Sequence, residues 1–371
     1  MATRILHIIP TLVRGGAEKQ LTLLASNLAP DRYDVHVCAL TSAGSYQQVL
    51  DEHGIPVHVI GKSWKVDFQA YRRLRSQIKS LRPDIVHTWI FAANSYGRQA
   101  ALSCGVPYVV AGERSIDPWK TSLHFWIDRY LARRSQAIVV PSAGVREFYV
   151  QHGIPRNKFH VIANGISLNE CQDRPSREEL LAGINIPADA RLIGVVVRLW
   201  SQKQLKDAIW AGELVSAVHP HAHLVLLGDG PDRWRLERYS RQVHLDGRIH
   251  FLGHREDASC FFPHFDCLWS TSAYEGLPNS VMEAMAAGIP VVASDISGNR
   301  DLVVSGETGY LFPLGDRAAL ARQTSQLLEN ESLRQQLGRA GRLRLQNCFS
   351  LDQMVQHYDE LYQHLLTLNP Q

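Results

Sequence analysis

"RLIGVVVRLWSQKQLKDAIWAGELVSAVHPHAHLVLLGDG", residues 191–230, is the stretch that decides the fold. Two short apolar runs, "RLIGVVV" and "HLVLLGDG", flank a helical pattern that begins near Gln204. Strands that are apolar along their whole length are typical of parallel sheets with helices on both faces. A strand, a helix and a second strand in this order therefore predict a βαβ unit of an α/β domain.

The same alternation continues through both halves of the chain. The apolar runs of the first half are "ILHIIP", "DVHVCAL", "IPVHVI", "DIVHTW", "YVVAG" and "AIVVPS", and those of the second half are "RLIGVVV", "HLVLLGDG", "IHFLG", "CLWSTS", "PVVAS" and "GYLF". Two such sets predict an α/β fold of two Rossmann-like, doubly wound domains whose strand ends face one central cleft.

A polar, turn-rich stretch at 165–190 predicts the link between the two domains. Residues 1–170 form the first domain in this interpretation, and residues 171–350 form the second. The amphipathic pattern of 351–368 predicts a final helix.

The composition is that of an ordinary globular protein, with 371 residues of which 45% are hydrophobic and 20% are charged. This length suffices for two hydrophobic cores. We expect no membrane-spanning helix, since no uncharged apolar run reaches about 18 residues. The six cysteines have no short paired spacing, which argues against a zinc site and favours reduced thiols in a cytoplasm.

The charge is distributed unevenly. Residues 1–170 hold 20 Lys and Arg against 12 Asp and Glu, and the remainder holds 19 against 24. The first half is therefore expected to meet an anion, which leaves phosphate, a membrane surface and nucleic acid open. Residues 64–82 predict a basic helix that suits an anionic bilayer, or else a covering helix with a charged outer face. No nucleic-acid recognition motif is present.

Ligands of doubly wound sheets bind beyond the carboxyl ends of the strands, so the residues there are candidates. Gly15 and Gly16 follow the first strand and open a helix, where bare N–H groups suit a phosphate or the polar edge of a sugar. Arg198 and Lys203 follow the first strand of the second domain, where two cations could neutralise a diphosphate. A plain turn and solvated surface charges are the alternatives.

"YEGLPNSVMEAMAAGIPVVASD", residues 274–295, places two acids around a helix start. Ser280 and Glu283 have the spacing of a capping box. The N–H groups of Ser280 and Val281 could hold an anion, and Glu283 could accept hydrogen bonds from ribose hydroxyls. A capping box leaves Glu275 unexplained, and its place at a strand end would let it bind sugar hydroxyls.

Polar residues also follow strands of the first domain. His87 lies near the end of "DIVHTW" (84–89), and Asn94 comes soon after it. Glu113 and Arg114 directly follow "YVVAG". A buried structural histidine and a solvated charged turn are the alternatives to a role in the cleft.

Taken together, these motifs resemble the retaining GT-B glycosyltransferases of family 4, the glycosyl transferases of group 1. The resemblance covers nearly the whole chain. Its motifs are "GGAE" (15–18), "NGIS" (164–167), "RLWSQK" (198–203), "SGETGYLF" (305–312) and the two glutamates of "YEGLPNSVMEAMAAGIPVVASD". It implies that the first domain binds the acceptor and that the second binds the nucleotide sugar. It also implies that the C-terminal helix, 351–371, crosses back to the first domain.

By position, the resemblance implies that Arg198 and Lys203 bind the donor diphosphate, that Glu275 contacts the donor sugar and that Glu283 holds the ribose. The donor-binding residues implied in this way are Gly15, Gly16, Arg198, Lys203, Gly228, Glu275, Gly276, Leu277, Asn279, Ser280, Val281 and Glu283. No metal and no cofactor is expected, because Arg, Lys and helix N-termini would stabilise the leaving diphosphate.

The chain departs from the family pattern at three places. Glu113 stands where many members carry a histidine that contacts the donor sugar, so Glu113 or Arg114 is expected to take that role, with His87 as a further candidate. Val197 and Gln204 replace two glycines that are usual beside the phosphate-binding cations. The predicted catalytic residues are Arg198, Lys203, Glu275 and Glu113, and the acceptor-side candidates are His87, Asn94 and Arg114.

The sequence therefore predicts a retaining glycosyltransferase that moves a hexose from a nucleotide sugar, expected to be UDP-linked, to a saccharide or lipid-linked acceptor. Bacterial surface polysaccharide assembly is the expected setting, in the cytoplasm or peripherally on the inner face of the cell membrane. Two alternatives stay open: a nucleotide-sugar epimerase on the same fold, and a catalytically silent subunit that binds sugar nucleotides.

Overall fold

The computed structural model describes residues 2–167 and 175–368. The predicted link at 165–190 thus lies partly outside the described residues, as does the end of the segment 351–371. The chain divides into two compact units, which are Met1–Gly165 with Leu351–Gln371 (unit 1) and Ile166–Ser350 (unit 2).

Unit 1 contains a parallel sheet of seven strands in the order β3-β2-β1-β4-β5-β6-β7. These strands are β1 (Thr3–Thr11), β2 (Tyr33–Ser42), β3 (Val57–Val59), β4 (Ile85–Trp89), β5 (Tyr108–Gly112), β6 (Ala137–Val140) and β7 (Phe159–Val161). The helices between them are α1 (Gly16–Asn27), α2 (Ser45–Glu52), α3 (Phe68–Leu81), α4 (Ile90–Ser103), α5 (Ser122–Ala132) and α6 (Ala143–Gln151).

Both faces of this sheet are buried. On β1, Ile5 and Ile9 face one hydrophobic cluster, whereas Leu6 and Ile8 face another. Successive side chains of a strand point to opposite faces, so a strand covered on both sides must be apolar throughout. This explains the continuous run "ILHIIP".

Unit 2 contains a parallel sheet of six strands in the order β10-β9-β8-β11-β12-β13. These strands are β8 (Arg191–Val196), β9 (Ala222–Leu227), β10 (Ile249–Phe251), β11 (Cys267–Ser270), β12 (Val291–Ser294) and β13 (Gly309–Phe312). The helices of this unit are α7 (Arg177–Gly183), α8 (Leu205–Val218), α9 (Arg233–Gln242), α10 (Ala258–Phe261), α11 (Asn279–Ala286), α12 (Ser297–Leu302), α13 (Arg317–Glu329) and α14 (Glu331–Cys348).

The last helix, α15 (Leu351–Thr367), belongs to unit 1 although it follows unit 2 in the chain. Its residues Met354, Tyr358 and Tyr362 are buried in the same cluster as Ile5. The Tyr33 hydroxyl donates a hydrogen bond to Asp359 Oδ1 at 2.5 Å. The return of the C-terminal helix to the first domain is therefore confirmed.

The predicted fold of two doubly wound α/β domains is confirmed, and each predicted apolar run contains a strand. Strand β7, at the edge of the sheet, was not predicted. Within residues 2–167 and 175–368, every helix is too short or too polar to span a bilayer. Cys38, Cys104, Cys267 and Cys348 are free thiols, whereas Cys260 is disulfide-bonded, so the expectation of reduced thiols is wrong for Cys260.

Candidate active site

The order of the strands determines where each sheet can bind a ligand. In unit 1 the chain reverses direction across the sheet between β1 and β4, and in unit 2 it does so between β8 and β11. The loops after such strands diverge and leave a crevice, which is where doubly wound sheets bind their ligands. In unit 2, Arg198 follows β8 and Glu275 follows β11, so both predicted residues lie at this crevice.

The loop after β8 holds Arg198 at its surface. The backbone N–H of Leu199 donates to Asp229 O at 3.0 Å, which fixes this loop to the one after β9. The guanidinium of Arg198 lies over the indole of Trp200, 4.1 Å from the ring centre. Among the described residues, no carboxylate forms an ion pair with Arg198. Its charge is therefore available to an anionic ligand.

Lys203 is close to Glu275, although 72 positions separate them in the sequence. The Lys203 ammonium forms an ion pair with Glu275 Oε1, and the Ser272 hydroxyl donates to the same oxygen at 2.6 Å. The two charged side chains keep 18% and 11% of their surface exposed. The pair is thus ordered but still reachable by a ligand.

Further hydrogen bonds join the loops that carry this pair. The Thr271 hydroxyl donates to Lys203 O at 2.7 Å, and the side-chain amide of Gln202 donates to Tyr274 O at 2.8 Å. The Ala273 N–H donates to Gln202 O at 2.9 Å. The loop after β8 and the loop after β11 therefore form one rigid support for the cation and the carboxylate.

A buried polar layer lies beneath Glu275. The Ser294 hydroxyl donates to Ser272 O at 2.6 Å, and the Asn299 amide donates to Ser294 O at 2.8 Å. Gly298 packs against Gly276 so closely that a Cβ atom would lie 2.8 Å from its carbonyl oxygen. These contacts fix the backbone that aims the Glu275 carboxylate.

Two of the three positions at which the chain departs from the family pattern, Val197 and Gln204, lie in the same region. Gln204 has a left-handed backbone, with φ of 48° and ψ of 39°, which is the conformation that glycine adopts most easily. Val197 is half-buried, and a Cβ on Gly228, which has a φ of 128°, would collide with Val197 O. Gln204 thus carries backbone strain that a glycine would avoid.

The helix after Glu275 begins earlier than its sequence pattern suggests. Pro278 is the N-cap of α11, and no side chain caps the helix there. Ser280 is therefore already inside the first turn, and the predicted capping box of Ser280 and Glu283 is wrong. Val281 and Leu277 are buried and anchor the turn. The first N–H groups of a helix have no acceptor within it, so this turn can still meet an anion.

The remaining predicted donor-binding residues lie around this crevice or in unit 1. Gly276 and Asn279 adjoin Glu275 and the start of α11, and Glu283 lies one turn further on and is half-buried. In unit 1, α1 begins at Gly16, with Gly15 as its N-cap. A Cβ on Gly15 would contact the carboxylate of Glu18, and this nearby negative charge disfavours a phosphate there. The donor-binding roles of these residues stay predictions.

Glu113 lies in a buried ionic network after β5. Its carboxylate is 3.4 Å from the Lys120 ammonium and accepts a 3.0 Å hydrogen bond from the Tyr149 hydroxyl. Lys120 also donates to Asp128 at 3.0 Å, and Asp128 in turn pairs with Arg98 at 2.8 Å. Burial raises the pKa of the Glu113 carboxyl, and the charge of Lys120 opposes that shift. These contacts give Glu113 a structural task, and its catalytic role stays a prediction.

His87 and Asn94 are also fully buried. His87 Nδ1 lies 2.7 Å from the Tyr362 hydroxyl of α15, and the Asn94 amide donates to Gly112 O at 3.0 Å. Burial lowers the pKa of His87 well below its usual range, and it lowers the pKa of its neighbour His7 to about 3. Both rings are thus neutral at pH 7, and the acceptor-side roles of His87 and Asn94 stay predictions.

Arg114 is the half-buried member of the acceptor-side set. Its guanidinium donates to Asn164 Oδ1 and, at 3.2 Å, to the Tyr358 hydroxyl. It also lies 5.2 Å from the ring centre of Trp89. Among the predicted residues that directly follow β5, Arg114 is therefore better placed than Glu113 to meet a ligand.

Sequence reasoning missed Lys120 and Ser272. The available signal for Lys120 was a lysine in "ERSIDPWK", close in sequence to Glu113. Only the fold reveals that Asp128, eight residues further along, also pairs with this lysine. Ser272 comes three residues before Glu275, a spacing that could have suggested a hydroxyl bound to the carboxylate.

Two protein-family models match the chain and together span most of it. The model of the glycosyl transferases group 1 matches residues 176–344, and that of Glycosyltransferase Family 4 matches residues 14–170. These ranges correspond closely to the two compact units.

Several known proteins are similar in sequence to this chain, and the similarity covers different shares of their length. The UDP-Gal:alpha-D-GlcNAc-diphosphoundecaprenol alpha-1,3-galactosyltransferase of Escherichia coli is 25% identical over 311 residues, which is 80% of this chain and 79% of that protein. The N-acetyl-alpha-D-glucosaminyl L-malate synthase of Bacillus anthracis is 29% identical over 165 residues, only 44% of this chain and 43% of that protein.

The fold is similar to that of solved glycosyltransferase structures. The crystal structure of Anabaena Alr3699/HepE in complex with UDP and glucose superposes with a TM-score of 0.88 at 22% identity, over 98% of this chain and 100% of that one. This likeness shows the fold. With the two family models and the relatives, it leads to the conclusion that the chain belongs to the GT-B glycosyltransferases of family 4, the glycosyl transferases of group 1.

Proposed function

We propose that this glycosyltransferase moves a sugar from a UDP-linked donor to a saccharide or lipid-linked acceptor, with retention of the anomeric configuration. The observation that carries the proposal is the arrangement at the crevice of unit 2. Arg198, which has no carboxylate partner among the described residues, lies in the same loop as Lys203, which is paired with Glu275. This arrangement offers cationic charge for a diphosphate and a carboxylate for sugar hydroxyls.

The two cations have different tasks in this proposal. Arg198 can bind a diphosphate oxygen directly, because its guanidinium needs no release from another partner. Lys203 is neutralised by Glu275 until a donor arrives, so it can share its protons between the carboxylate and a phosphate oxygen. Charge on the leaving diphosphate grows as its bond to the sugar breaks, and cations held in place stabilise it most at that stage.

Retention requires the acceptor to attack on the face from which the diphosphate leaves. The acceptor oxygen forms the new bond to the anomeric carbon while the bond from that carbon to the phosphate oxygen breaks. The acceptor proton passes to the leaving phosphate oxygen, and the released product is the nucleoside diphosphate. The protein contributes orientation and charge stabilisation. Glu275, aimed by Ser272, would hold the donor sugar during this exchange.

A lipid-linked acceptor is supported by one relative. The E. coli galactosyltransferase acts, by its name, on a GlcNAc-diphosphoundecaprenol acceptor with UDP-Gal as donor. The basic character of residues 1–170 fits an acceptor that carries a diphosphate or lies at an anionic membrane. These two observations support a proposed setting at the inner face of the cell membrane, in assembly of surface polysaccharide.

A thermal-shift panel of nucleotide sugars tests the donor. UDP-, GDP-, ADP- and dTDP-linked sugars are added to the protein, and a UDP-sugar is expected to raise the melting temperature by mass action. Arg198→Ala should lose this shift, whereas Lys206→Ala, an exposed lysine on α8, should keep it. Equal shifts for wild type and Arg198→Ala would contradict the proposed site.

Product analysis then tests the reaction. Incubation of the donor with an acceptor should give an α-linked product from an α-linked donor, as read by the anomeric proton in NMR. A product of inverted configuration would exclude retention. Conversion of the sugar nucleotide without acceptor would favour the epimerase, and the absence of both transfer and donor hydrolysis would favour the silent binding subunit.

A further inference from the structure

Unit 1 exposes large apolar side chains in two short segments. In the first segment, Trp64, Val66 and Phe68 are 75%, 69% and 76% exposed. In the second segment, Trp119, Leu123, Trp126 and Tyr130 are 53%, 65%, 58% and 40% exposed. Single exposed apolar residues are ordinary, but a contiguous group of them marks an interaction site.

The second segment forms a stripe along α5. Leu123, Trp126 and Tyr130 recur at intervals of three and four residues, so they lie on one face of the helix, and Trp119 precedes its first turn. Phe125 and Leu131 point the other way and are buried in unit 1. The rings of Trp126 and Tyr130 stack, with their centres 6.0 Å apart. The helix therefore covers the sheet with one face and presents a second apolar face to the outside.

Helix α4 connects the two segments. The Tyr96 hydroxyl accepts a hydrogen bond from the Asp67 N–H at 2.7 Å and donates one to Lys65 O at 3.1 Å, so the first segment lies against Tyr96. The ring of Phe91 packs edge-on against Trp119 in the second segment, at 5.2 Å between ring centres. Helix α4 packs between α3 and α5, and the three helices cover the same face of the sheet. The two segments therefore flank α4 within one layer of helices.

Positive charge borders this surface. Residues 62–82 contain seven Lys and Arg against one Asp, and residues 119–134 contain three Arg at or near the surface, the buried Lys120 and one Asp. Both acids are already engaged, since Asp67 caps α3 by accepting from the Ala70 N–H at 2.8 Å and Asp128 is buried with Arg98. The exposed charges bordering the surface are thus predominantly cationic.

We propose that this surface, made of residues 64–68 and 119–130 with the cations around them, docks the protein on an anionic lipid bilayer. Tryptophan and tyrosine favour the interfacial layer of a membrane, and basic residues beside them bind anionic headgroups. A second copy is a poorer occupant, because two such surfaces would repel each other. The inference extends the membrane setting proposed above, but its test needs neither donor nor acceptor and can fail independently of the transferase function.

Sedimentation with lipid vesicles tests the docking. The protein is mixed with vesicles of phosphatidylcholine alone and with vesicles containing about 30% phosphatidylglycerol, a fraction typical of anionic leaflets. Wild type is expected to sediment only with the anionic vesicles. Trp64→Ser/Phe68→Ser/Trp126→Ser should lower the bound fraction by tenfold or more. The charge variant Arg72→Gln/Lys79→Gln/Arg133→Gln, which removes three exposed cations, should weaken binding by about a hundredfold.

Trp234→Ser is the matched control, because Trp234 is 59% exposed but lies on α9 of unit 2. It should bind as wild type does, and circular dichroism melting should show that all variants are folded. Equal binding to both kinds of vesicle, or binding unchanged in the Trp64/Phe68/Trp126 variant, would overturn the proposal. A wild-type dimer that this variant converts to a monomer, without vesicle binding, would assign the surface to a second copy instead.

Discussion

The two units each place a lysine–glutamate pair after their strands, and the two pairs differ in burial. In unit 1, the side chains of Lys120 and Glu113 are 0% and 4% exposed, and Asp128 shares the lysine. In unit 2, those of Lys203 and Glu275 are 18% and 11% exposed. A fully buried pair cannot lose a member without leaving a bare charge in the interior, whereas a partly exposed pair can exchange its partner for a ligand or water. The same two residue types thus hold a fold together in one unit and are available for chemistry in the other.

Breaking the buried pair should give the largest effect. Lys120→Met leaves Glu113 and Asp128 without their shared cation, so the free energy of unfolding should fall by about 3–5 kcal/mol. Urea unfolding measures this loss, and Lys203→Met is the matched control, with an expected change below about 1 kcal/mol. Equal stability of the two variants would remove the distinction between the pairs.

Loss of the partly exposed Lys203 should instead reduce the transfer rate. Lys203→Ala is expected to lower the transfer rate by about a hundredfold, the usual effect of removing a group that stabilises developing charge. Steady-state kinetics measure the rate, and Lys206→Ala, three positions further along and exposed, should turn over as wild type does. Full activity of Lys203→Ala would count heavily against the assigned site.

Acid should weaken the protein through the buried histidines of unit 1. Burial lowers the pKa of His7 from 6.5 to about 3 in the folded protein, so the unfolded chain binds its proton more readily. The contribution of His7 to stability is therefore complete above pH 6.5 and declines as the pH falls towards 3, by up to about 1.4 kcal/mol per pH unit.

His7→Asn does not titrate in this range. Denaturant unfolding at pH 7 and pH 5 should therefore show a smaller loss for this variant than for wild type, although His87 keeps its own contribution. An identical loss in both proteins would show that His7 does not carry the acid sensitivity.

The smallest expected effect concerns the counter-ion in unit 2. Glu275→Gln frees Lys203 from its carboxylate, so UDP should bind about twofold to fivefold more tightly. The effect is small because a partly exposed ion pair contributes little free energy. Sugar transfer should fall at the same time, because the donor sugar loses a charged acceptor. Calorimetric titration with UDP measures the affinity. Weaker UDP binding by Glu275→Gln would show that the carboxylate supports the diphosphate site instead of competing for it.

Much of this arrangement could be predicted from local patterns. Continuous apolar strands fix a parallel sheet, and the carboxyl ends of such strands are where ligands bind, so Arg198, Lys203 and Glu275 were expected near one another. Their mutual contacts could not be predicted, because the Lys203–Glu275 pair joins two loops that are far apart in sequence. The same principle, that ligands bind at the carboxyl ends of strands, also points to His87, Asn94 and Glu113. It does not predict whether a neighbouring helix buries these residues.

A local sequence pattern was also misleading at the start of α11. The Ser280–Glu283 spacing suits a capping box, but the N-cap is Pro278, two residues before the predicted cap.

The backbone of Gln204 links thermal tolerance to adaptability in this enzyme. A side chain in the left-handed region costs about 1–2 kcal/mol compared with ordinary backbone, while it also restricts the torsions available just behind Lys203. A glycine at position 204 would remove this strain and make the backbone next to Lys203 more flexible. In directed evolution towards heat resistance or new donors, this single torsion is therefore a natural early target, because both properties depend on it.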